Sequence, residues 1–517
     1  MGKSDFISTK TAQTKKKTLH KFSAFFDYLF PIERYELTKF LSITLLMFCI
    51  LGIQNLIRAQ KDSLVNTMIG TETIAFLKVW GVMPAAFLVT ILYVKLVSCM
   101  KGEKIFYLIM SSFLGFFALF AFYIFPNYET FHLNPAKTAN LIQLYPNLKW
   151  FILLASNWSI SIFYVVAELW PNAVFALLFW QFVNKVTSVE ESARFYPLFG
   201  LLGQTGLVIS GLFLENQLNI NNYVLNFLNL QTASNIITVQ VVLFVVLILG
   251  LIAITTFWVL NHRILDVSNV EALQFKVKKN QMTLLESFKM ILSSRYIMLI
   301  TVLLFSYGVA INLVEGPWKS SVSRVHSDVT SYNAFVGGYL KYTGVLTVAF
   351  VILGSNLVRR LGWLSAAIIT PIMLFVTGIG FFSVANFETV SYFAVSLFVF
   401  ADPTTLALSM GALQNILSKS SKYTLFDSTK EMSYVPLDDD LKTKGKAAAD
   451  MIGTKLGKST SALLQAMIFI IMPAATYQSI SIYLMIVFTI VCFIWGWAVM
   501  ALNKEYKAAV LKKEGEV

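Results

Sequence analysis

Charged residues are scarce in this chain, and their scarcity argues against a water-soluble protein. They make up 13% of its 517 residues, whereas 56% of the residues are hydrophobic and 15% are aromatic. A soluble domain usually carries about 25% charged residues. Half of that level leaves too little polar surface to cover a globule in water, so the composition predicts a chain that lies in lipid.

Cysteine and histidine are also rare, and their positions argue against an enzyme or a metal site. The three cysteines, Cys49, Cys99 and Cys492, are far apart and have no CxxC or metal-ligand spacing. The four histidines lie in predicted loops and tails: His20, His132, His262 and His326. No nucleophile–base pair is evident, so we expect no catalytic activity, no cofactor and no metal.

Long apolar segments fill most of the chain. A helix needs roughly 20 apolar residues to cross the hydrocarbon layer of a membrane. This rule predicts twelve spans, near residues 39–60, 74–97, 105–125, 150–183, 195–214, 236–261, 296–316, 333–354, 363–383, 389–416, 445–473 and 479–502. We therefore expect an all-α integral membrane protein with about twelve transmembrane helices. The fourth and eleventh segments are long, and we expect them to be tilted or broken.

The predicted spans form two sets of six. A polar stretch, His262 to Arg295, separates the sets, and two six-helix halves joined by such a loop are typical of a major-facilitator-like architecture. The start of the chain is basic and has no apolar core with a small-residue cleavage site, so we expect no cleaved signal peptide. The predicted parts are a cytoplasmic N-terminal tail (1–38), a first six-helix half (39–261), a cytoplasmic linker (262–295), a second six-helix half (296–502) and a cytoplasmic C-terminal tail (503–517).

The net charge of +13 is distributed as in a membrane protein rather than a nucleic-acid-binding one. With the N-terminal tail inside, most lysines and arginines fall on the inside, in the tails, the linker and a predicted loop at 417–446. The predicted outside loops hold only Lys137, Lys149, Lys319 and Arg324. This asymmetry follows the positive-inside rule and predicts both termini in the cytoplasm. We expect lipid around the spans, no nucleic-acid partner and a monomer.

A few charged side chains fall inside the predicted spans, where a charge is costly unless it faces a cavity or a partner. Arg58 and Lys61 end the first span and, three residues apart, share one face of its helix. Lys458 lies in the eleventh span, and Asp402 in the tenth. Cations in a dry cavity attract phosphate far more strongly than they do in water. The three cations therefore suggest a site for a multiply charged anion.

Two carboxylates accompany these cations. Glu168 lies in the middle of the fourth span, and Glu315 lies near the outer end of the seventh. They either balance the charge of the empty cavity or bind a transported proton, and the residues alone leave both roles open. Lys78, Lys95 and Lys341 lie near span ends or outside any motif, and we expect them to snorkel or to form structural salt bridges.

One short stretch, Gly453 to Ser459, is similar to a phosphate-binding P-loop. It is one residue shorter than GxxxxGK[ST], no strand precedes it, and it lies in an apolar helical segment. We expect its glycines to allow close helix packing or a local break that leaves Lys458 facing the cavity.

Short motifs surround the charges inside the spans. They are Ile57–Val65, Ala167–Trp170 with Phe179–Phe182, Ile311–Glu315 with Trp318–Ser320, and Leu425–Leu437 with Lys444–Lys446 and Leu456–Ser459. Together they closely resemble the non-mitochondrial ATP/ADP translocase (nucleotide transporter) family of obligate intracellular bacteria and plastids. The resemblance runs from about Phe30 to Lys507, which is nearly the whole chain.

The resemblance implies a major-facilitator-type transporter that exchanges ATP for ADP across the bacterial inner membrane by alternating access, with a nucleotide as its substrate. The functional charges of the family correspond by motif to Lys61, Glu168, Glu315 and Lys458. We expect the two lysines to bind phosphates, together with Arg58 and Lys446. We expect the two glutamates to balance charge and to gate.

A second interpretation stays open. Ala59, Pro171 and Pro317 stand where the family usually has other residues, beside the predicted binding charges. The chain is then a paralogue that imports GTP, CTP, UTP or NAD, either by exchange or by proton symport through Glu168 or Glu315. A scaffold or receptor without a transport cycle is disfavoured, because it has no need for charges inside both halves.

Overall fold

The structure is a computed structural model that describes residues 32–100, 102–265, 284–398, 402–438 and 441–515. Most of the predicted N-terminal tail and the middle of the predicted linker therefore lie outside the described residues. The described residues form helices and connecting loops, with no strand. This confirms the predicted all-α class.

Twelve long helical segments make up the described part of the chain. They are α1 (Leu37–Met68), α2 (Thr73–Cys99), α3 (Gly102–Phe131), α4 (Trp158–Val186), α5 (Glu190–Glu215), α6 (Ser234–Ile264), α7 (Arg295–Val325), α8 (Val329–Val351), α9 (Gly362–Asn386), α10 (403–434), α11 (441–471) and α12 (Tyr477–Lys512). Shorter helices are Pro135–Leu144, Lys149–Ser156, Gln217–Leu228, Leu284–Ser293 and Glu388–Phe398. All the long helices except α10 and α11 are long and apolar enough to cross a membrane. These two carry more charged side chains, among them Lys419 and Lys458.

Side-chain caps fix where several helices begin. Ser188 and Glu191 form a reciprocal capping box at the start of α5, and the Asp328 carboxylate accepts the backbone N–H of Ser331 at the start of α8, at 2.9 Å. Asp402 caps α10 in the same way, and Pro403 occupies the first helical turn. Asp402 was expected inside a span, but it is a helix cap, because the predicted tenth span is divided into the helix Glu388–Phe398 and α10.

Several helices contain π-helical stretches, which have wider turns than an α-helix, and those in α4 and α11 lie next to predicted site residues. The predicted long fourth segment is broken at Asn157, between Lys149–Ser156 and α4. Within α4 a π-helical stretch begins at Pro171, whose ring has no N–H to donate to the preceding turn. Another π-helical stretch, Asp450–Leu456, lies in α11. Such stretches are frequent at functional sites, and this one ends two residues before Lys458.

Helices α1–α6 and α7–α12 form two halves that meet along one part of their length. We call the face at which α1 begins and α12 ends the N-terminal face, and the opposite face the distal face. Near the distal end of α1, the Asn66 amide donates to the Tyr332 hydroxyl at 2.8 Å. At the same end, the Tyr477 backbone N–H donates to the Glu72 carboxylate at 3.2 Å. Among the described residues, the contacts between the two halves lie between mid-depth and the distal face. The halves are therefore closed against each other on the distal side.

Two glycines bring α5 and α8 into close contact across the halves. A Cβ atom on Gly211 would lie 2.7 Å from the carbonyl oxygen of Gly337, and a Cβ atom on Gly337 would lie 2.7 Å from the carbonyl oxygen of Gly211. Only glycine allows the two backbones to approach so closely. Beside this contact, Lys341 and Glu215 form an ion pair of 2.7 Å.

Gly337→Leu is expected to open the distal face, because overpacking such a contact costs about 1–3 kcal/mol. The readout is labelling of Asn333→Cys by a membrane-impermeant maleimide, in a background whose native cysteines are serines. Asn333 is buried at this interface, where it donates to Gln60 at 3.0 Å. Labelling should accelerate about tenfold. Gly115→Leu is the control, because a Cβ atom there meets nothing within 4 Å. Equal labelling rates in both variants would contradict the expectation.

Candidate substrate-binding site

The structure brings four of the six predicted site residues together, between the two halves. Arg58 and Lys61 lie on α1, Glu168 on α4 and Glu315 on α7. Each of these four takes part in a single series of ion pairs. Two residues that were not predicted as site residues, Asp62 and Lys319, complete it. We call these six residues the ion chain.

The ion chain alternates in charge from one end to the other. Glu168 lies 2.9 Å from the Lys61 ammonium, which in turn lies 2.8 Å from the Asp62 carboxylate. Asp62 also binds the Lys319 ammonium of the other half, at 2.9 Å. Asp62 is therefore the carboxylate through which α1 and α7 are joined.

The second part of the ion chain lies on α7 and returns to α1. Lys319 pairs with Glu315, one turn away on the same helix, at 3.1 Å. Glu315 lies 3.9 Å from the Arg58 guanidinium, which is the longest link of the series. The order is therefore Glu168, Lys61, Asp62, Lys319, Glu315 and Arg58.

The two ends of the ion chain are exposed, whereas its middle is buried. The Glu168 side chain is 36% exposed and that of Arg58 is 41% exposed. By contrast, the Lys61 side chain is only 4% exposed. The ends therefore face an open space between the halves, and the middle closes that space on its distal side.

Lys61 is held by an aromatic ring in addition to its carboxylate partners. Besides its two carboxylate partners, its ammonium lies 4.0 Å from the centre of the Tyr164 ring. Tyr164 is fully buried, and a cation over an aromatic face is attracted by the ring quadrupole. In this conformation Lys61 cannot reach a ligand unless one of its partners is displaced.

Lys458 faces the same space from the second half but does not join the ion chain. It is exposed and lies on the same face of α11 as Ala462 and Gln465, at spacings of four and seven residues. Those two residues line a small cavity together with Glu315. Lys458 therefore points into the space between the halves, one turn closer to the N-terminal face.

The P-loop-like stretch is helical, and its glycines serve packing. A Cβ atom on Gly457 would lie 2.7 Å from the carbonyl oxygen of Phe305, and one on Gly308 would lie 3.1 Å from the backbone nitrogen of Lys458. The absence of side chains at both glycines lets α11 lie directly against α7. This contact fixes the backbone that carries Lys458.

Lys446 lies apart from the other predicted residues, in the part of α11 near the N-terminal face. Its ammonium pairs with the Glu431 carboxylate and lies 5.6 Å from the Tyr434 ring centre. Lys430 also pairs with Glu431, at 2.9 Å. Lys446 therefore belongs to a local cluster of charges near the N-terminal face.

Two lysines were misjudged from the sequence. Lys319 was expected in an outside loop, but α7 continues through Pro317 to Val325 and leaves the Lys319 side chain 9% exposed. Its spacing of four residues from Glu315 is a signal that could have revealed it. Lys78 was expected to snorkel or to form a salt bridge, but its ammonium donates to the Asn312 amide oxygen of the other half at 2.6 Å.

Lys319→Met is expected to destabilise the protein by about 3–5 kcal/mol, because it removes a partner from two buried carboxylates. The measurement is the thermal unfolding midpoint of the purified protein in detergent. Adding Glu315→Gln should restore part of the loss, since it removes one of the uncompensated charges. Lys341→Met is the control: it breaks a more exposed ion pair, worth about 0–1 kcal/mol. A midpoint equal to that of the control would contradict the expectation.

Known proteins that resemble this chain are transporters. A family model described as TLC ATP/ADP transporter matches residues 13–506. The chain is 62% identical over 503 residues to ADP,ATP carrier protein 4 of Rickettsia felis, which covers 97% of this chain and 98% of that protein. It is 44% identical over 491 residues to ADP,ATP carrier protein 3 of Rickettsia prowazekii, which covers 93% of this chain and 97% of that protein.

Solved structures share the fold at low sequence identity. The nucleoside transporter NupG matches with a TM-score of 0.56 and 8% identity, over 90% of this chain and 99% of its own. A bacterial homologue of the iron transporter ferroportin, in an inward-facing state, matches with a TM-score of 0.55 and 13% identity, over 91% and 98% of the two chains. These matches confirm the predicted major-facilitator-like fold. The family model and the 62% identical relative, which both match nearly the whole chain, show that it belongs to the TLC ATP/ADP transporter family.

Proposed function

We propose that the protein exchanges ATP for ADP by alternating access and imports host nucleotide across the bacterial inner membrane. The observation that carries this proposal is the ion chain, whose buried middle joins the halves and whose exposed ends face the space between them. A charged substrate can compete for these ion pairs, and competition for them couples binding to the separation of the halves. The relatives named ADP,ATP carrier proteins favour ATP and ADP over other nucleotides.

In this conformation the phosphates first meet Arg58 and Lys458. Both side chains reach the space between the halves, one from each half. Arginine binds phosphate oxygens in a bidentate fork, and lysine binds them as a point charge. Glu168, at the other exposed end, prevents Lys61 from adding its charge to the empty space. As the substrate enters, its phosphates draw Lys61 away from Glu168.

The remaining predicted charges act around this binding step. Glu315 holds Arg58 at the edge of the space until a phosphate replaces it. Lys446 lies near the N-terminal face and attracts the anion before it reaches the deeper site. We assign the N-terminal face to the cytoplasm, because the predicted distribution of lysine and arginine follows the positive-inside rule. The conformation is then open inwards and closed outwards.

Uptake into intact bacterial cells that express the protein tests the substrate. Labelled ATP, ADP, GTP, CTP, UTP and NAD are offered separately, and unlabelled nucleotide is added after loading. We expect uptake of ATP and ADP, and rapid loss of label when the other of the two is added. Uptake of another nucleotide with ATP ignored would replace ATP/ADP by a different base preference. Uptake that needs a proton gradient and no counter-nucleotide would replace exchange by proton symport.

Two lysine variants separate binding from gating in the same assay. Lys458→Ala should raise KM for ATP about 10- to 100-fold, because one charge-assisted contact is worth about 1.5–3 kcal/mol. Lys61→Ala should lower the maximal rate as well, since it leaves Asp62 and Glu168 without their shared cation. Lys95→Ala is the control, because Lys95 is exposed on α2. Kinetics unchanged from the wild type in both site variants would refute the phosphate assignment.

A further inference from the structure

Lys419 is a half-buried cation that the sequence did not reveal. It fell in the predicted loop 417–446, but α10 continues as helix through this region, and Lys419 lies at mid-depth. Its ammonium donates to the Tyr339 hydroxyl and lies 4.8 Å from the centre of that ring. Tyr339 is buried and packs edge-to-face against Trp318, at 5.3 Å.

The partner of Lys419 is neutral. Among the described residues, no carboxylate lies within ion-pair distance of its ammonium. Lys422, three residues further along α10, is different, because it pairs with Asp427 at 2.7 Å. A hydroxyl and an aromatic ring stabilise an ammonium but do not cancel its charge. Lys419 therefore adds positive charge to the wall of the space.

The ion chain does not supply the missing negative charge. Its three cations and three carboxylates cancel one another: Arg58, Lys61 and Lys319 against Asp62, Glu168 and Glu315. Lys458 adds a further positive charge from α11. The space between the halves is consequently positive when it is empty.

Lys419 and Arg58 belong to opposite halves and reach the same part of α7. Lys419 donates to Tyr339, and Tyr339 packs on Trp318, the neighbour of Lys319 in the sequence. Arg58 reaches α7 through its ion pair with Glu315. Glu315 is nearly buried and is already shared with Lys319. Two cations of opposite halves therefore lie on the same side of the ion chain, towards the open face.

Such an arrangement is tolerable only while water reaches it. Closing the N-terminal face removes that water, and a desolvated cation without a counter-charge is strongly unfavourable. A nucleotide changes this, because its phosphate oxygens can bind cations of both halves at once. The loaded space can close, whereas closure of the empty space is opposed.

We propose that Lys419 and Arg58 form an exchange lock, which opposes closure of the N-terminal face around an empty space and permits it around a bound nucleotide phosphate. This inference rests on the proposed function, because it assumes an anionic nucleotide and alternating access. It adds a phosphate-binding residue on α10 and a physical reason why the carrier returns only when loaded.

Efflux from proteoliposomes tests the exchange lock. Vesicles that contain the purified protein are loaded with labelled ATP and diluted into buffer with or without ADP. Wild-type efflux should be fast with ADP and slow without it. Lys419→Gln should raise the rate of efflux without ADP about tenfold. This corresponds to a free-energy barrier for closure of the empty carrier that is lower by about 1.4 kcal/mol. Lys419→Arg keeps the charge and should remain slow.

Lys422→Gln is the matched control, because it removes a lysine of the same helix that already has a carboxylate partner. Its efflux without ADP should remain slow. Arg58→Gln is a second, independent variant, which should also leak if the two cations act together. All variants are compared per amount of monodisperse protein, so a loss of folding is not mistaken for a lock.

The outcomes distinguish a failure of the proposed exchange function from a failure of the exchange lock. If wild-type protein moves no nucleotide, or leaks equally with and without ADP, the proposed exchange function fails. If the wild type exchanges, but Lys419→Gln and Arg58→Gln both keep its low leak, the lock is wrong and the exchange stands. If Lys422→Gln leaks as much as Lys419→Gln, the effect is a general loss of charge, and the lock is again wrong.

Discussion

The position of Asp62 between two lysines of different halves is the interaction on which the arrangement of the site depends. Asp62 follows Lys61 directly on α1 and binds Lys319 on α7. Buried carboxylates at this depth persist only with partners. Both lysines are therefore held in place, and with them Glu168 and Glu315 at the next positions. The close packing of α5 on α8 and the polar contacts near Tyr332 and Tyr477 then complete the closure of the distal face.

Binding and gating use the same charges in this protein. The residues that the family motifs single out are Lys61, Glu168, Glu315 and Lys458. Of these four, Lys458 and Glu168 face the open space in this conformation. Lys61 is part of the closure. We infer that the empty site does not hold its cations free for a phosphate. The phosphate takes over cations that the protein has already paired, and the energy of binding is transferred to the movement of the halves.

Much of this arrangement could be predicted from the sequence, and the limits have physical causes. Apolar segment lengths and the distribution of basic residues gave the class and the number of helices, because the bilayer imposes both. The motifs identified Lys61, Glu168, Glu315 and Lys458. Hydropathy failed where helices are polar. Lys319 and Lys419 were assigned to loops because charged and small residues surround them, and tertiary contacts stabilise those helices instead. Pairings such as that of Asp62 with Lys319 depend on which helices meet, and one sequence does not contain that information.

The division of the ion chain between the halves has a further consequence. Arg58, Lys61, Asp62 and Glu168 belong to the first half, and Lys319 and Glu315 belong to the second. Only two links cross the boundary, from Asp62 to Lys319 and from Glu315 to Arg58. When the distal face opens, two positive and two negative charges stay with one half, and one of each stays with the other. Separation is therefore electroneutral on both sides. Neither half has to carry a net charge of this series through the membrane, and opening the distal face breaks two ion pairs of the series.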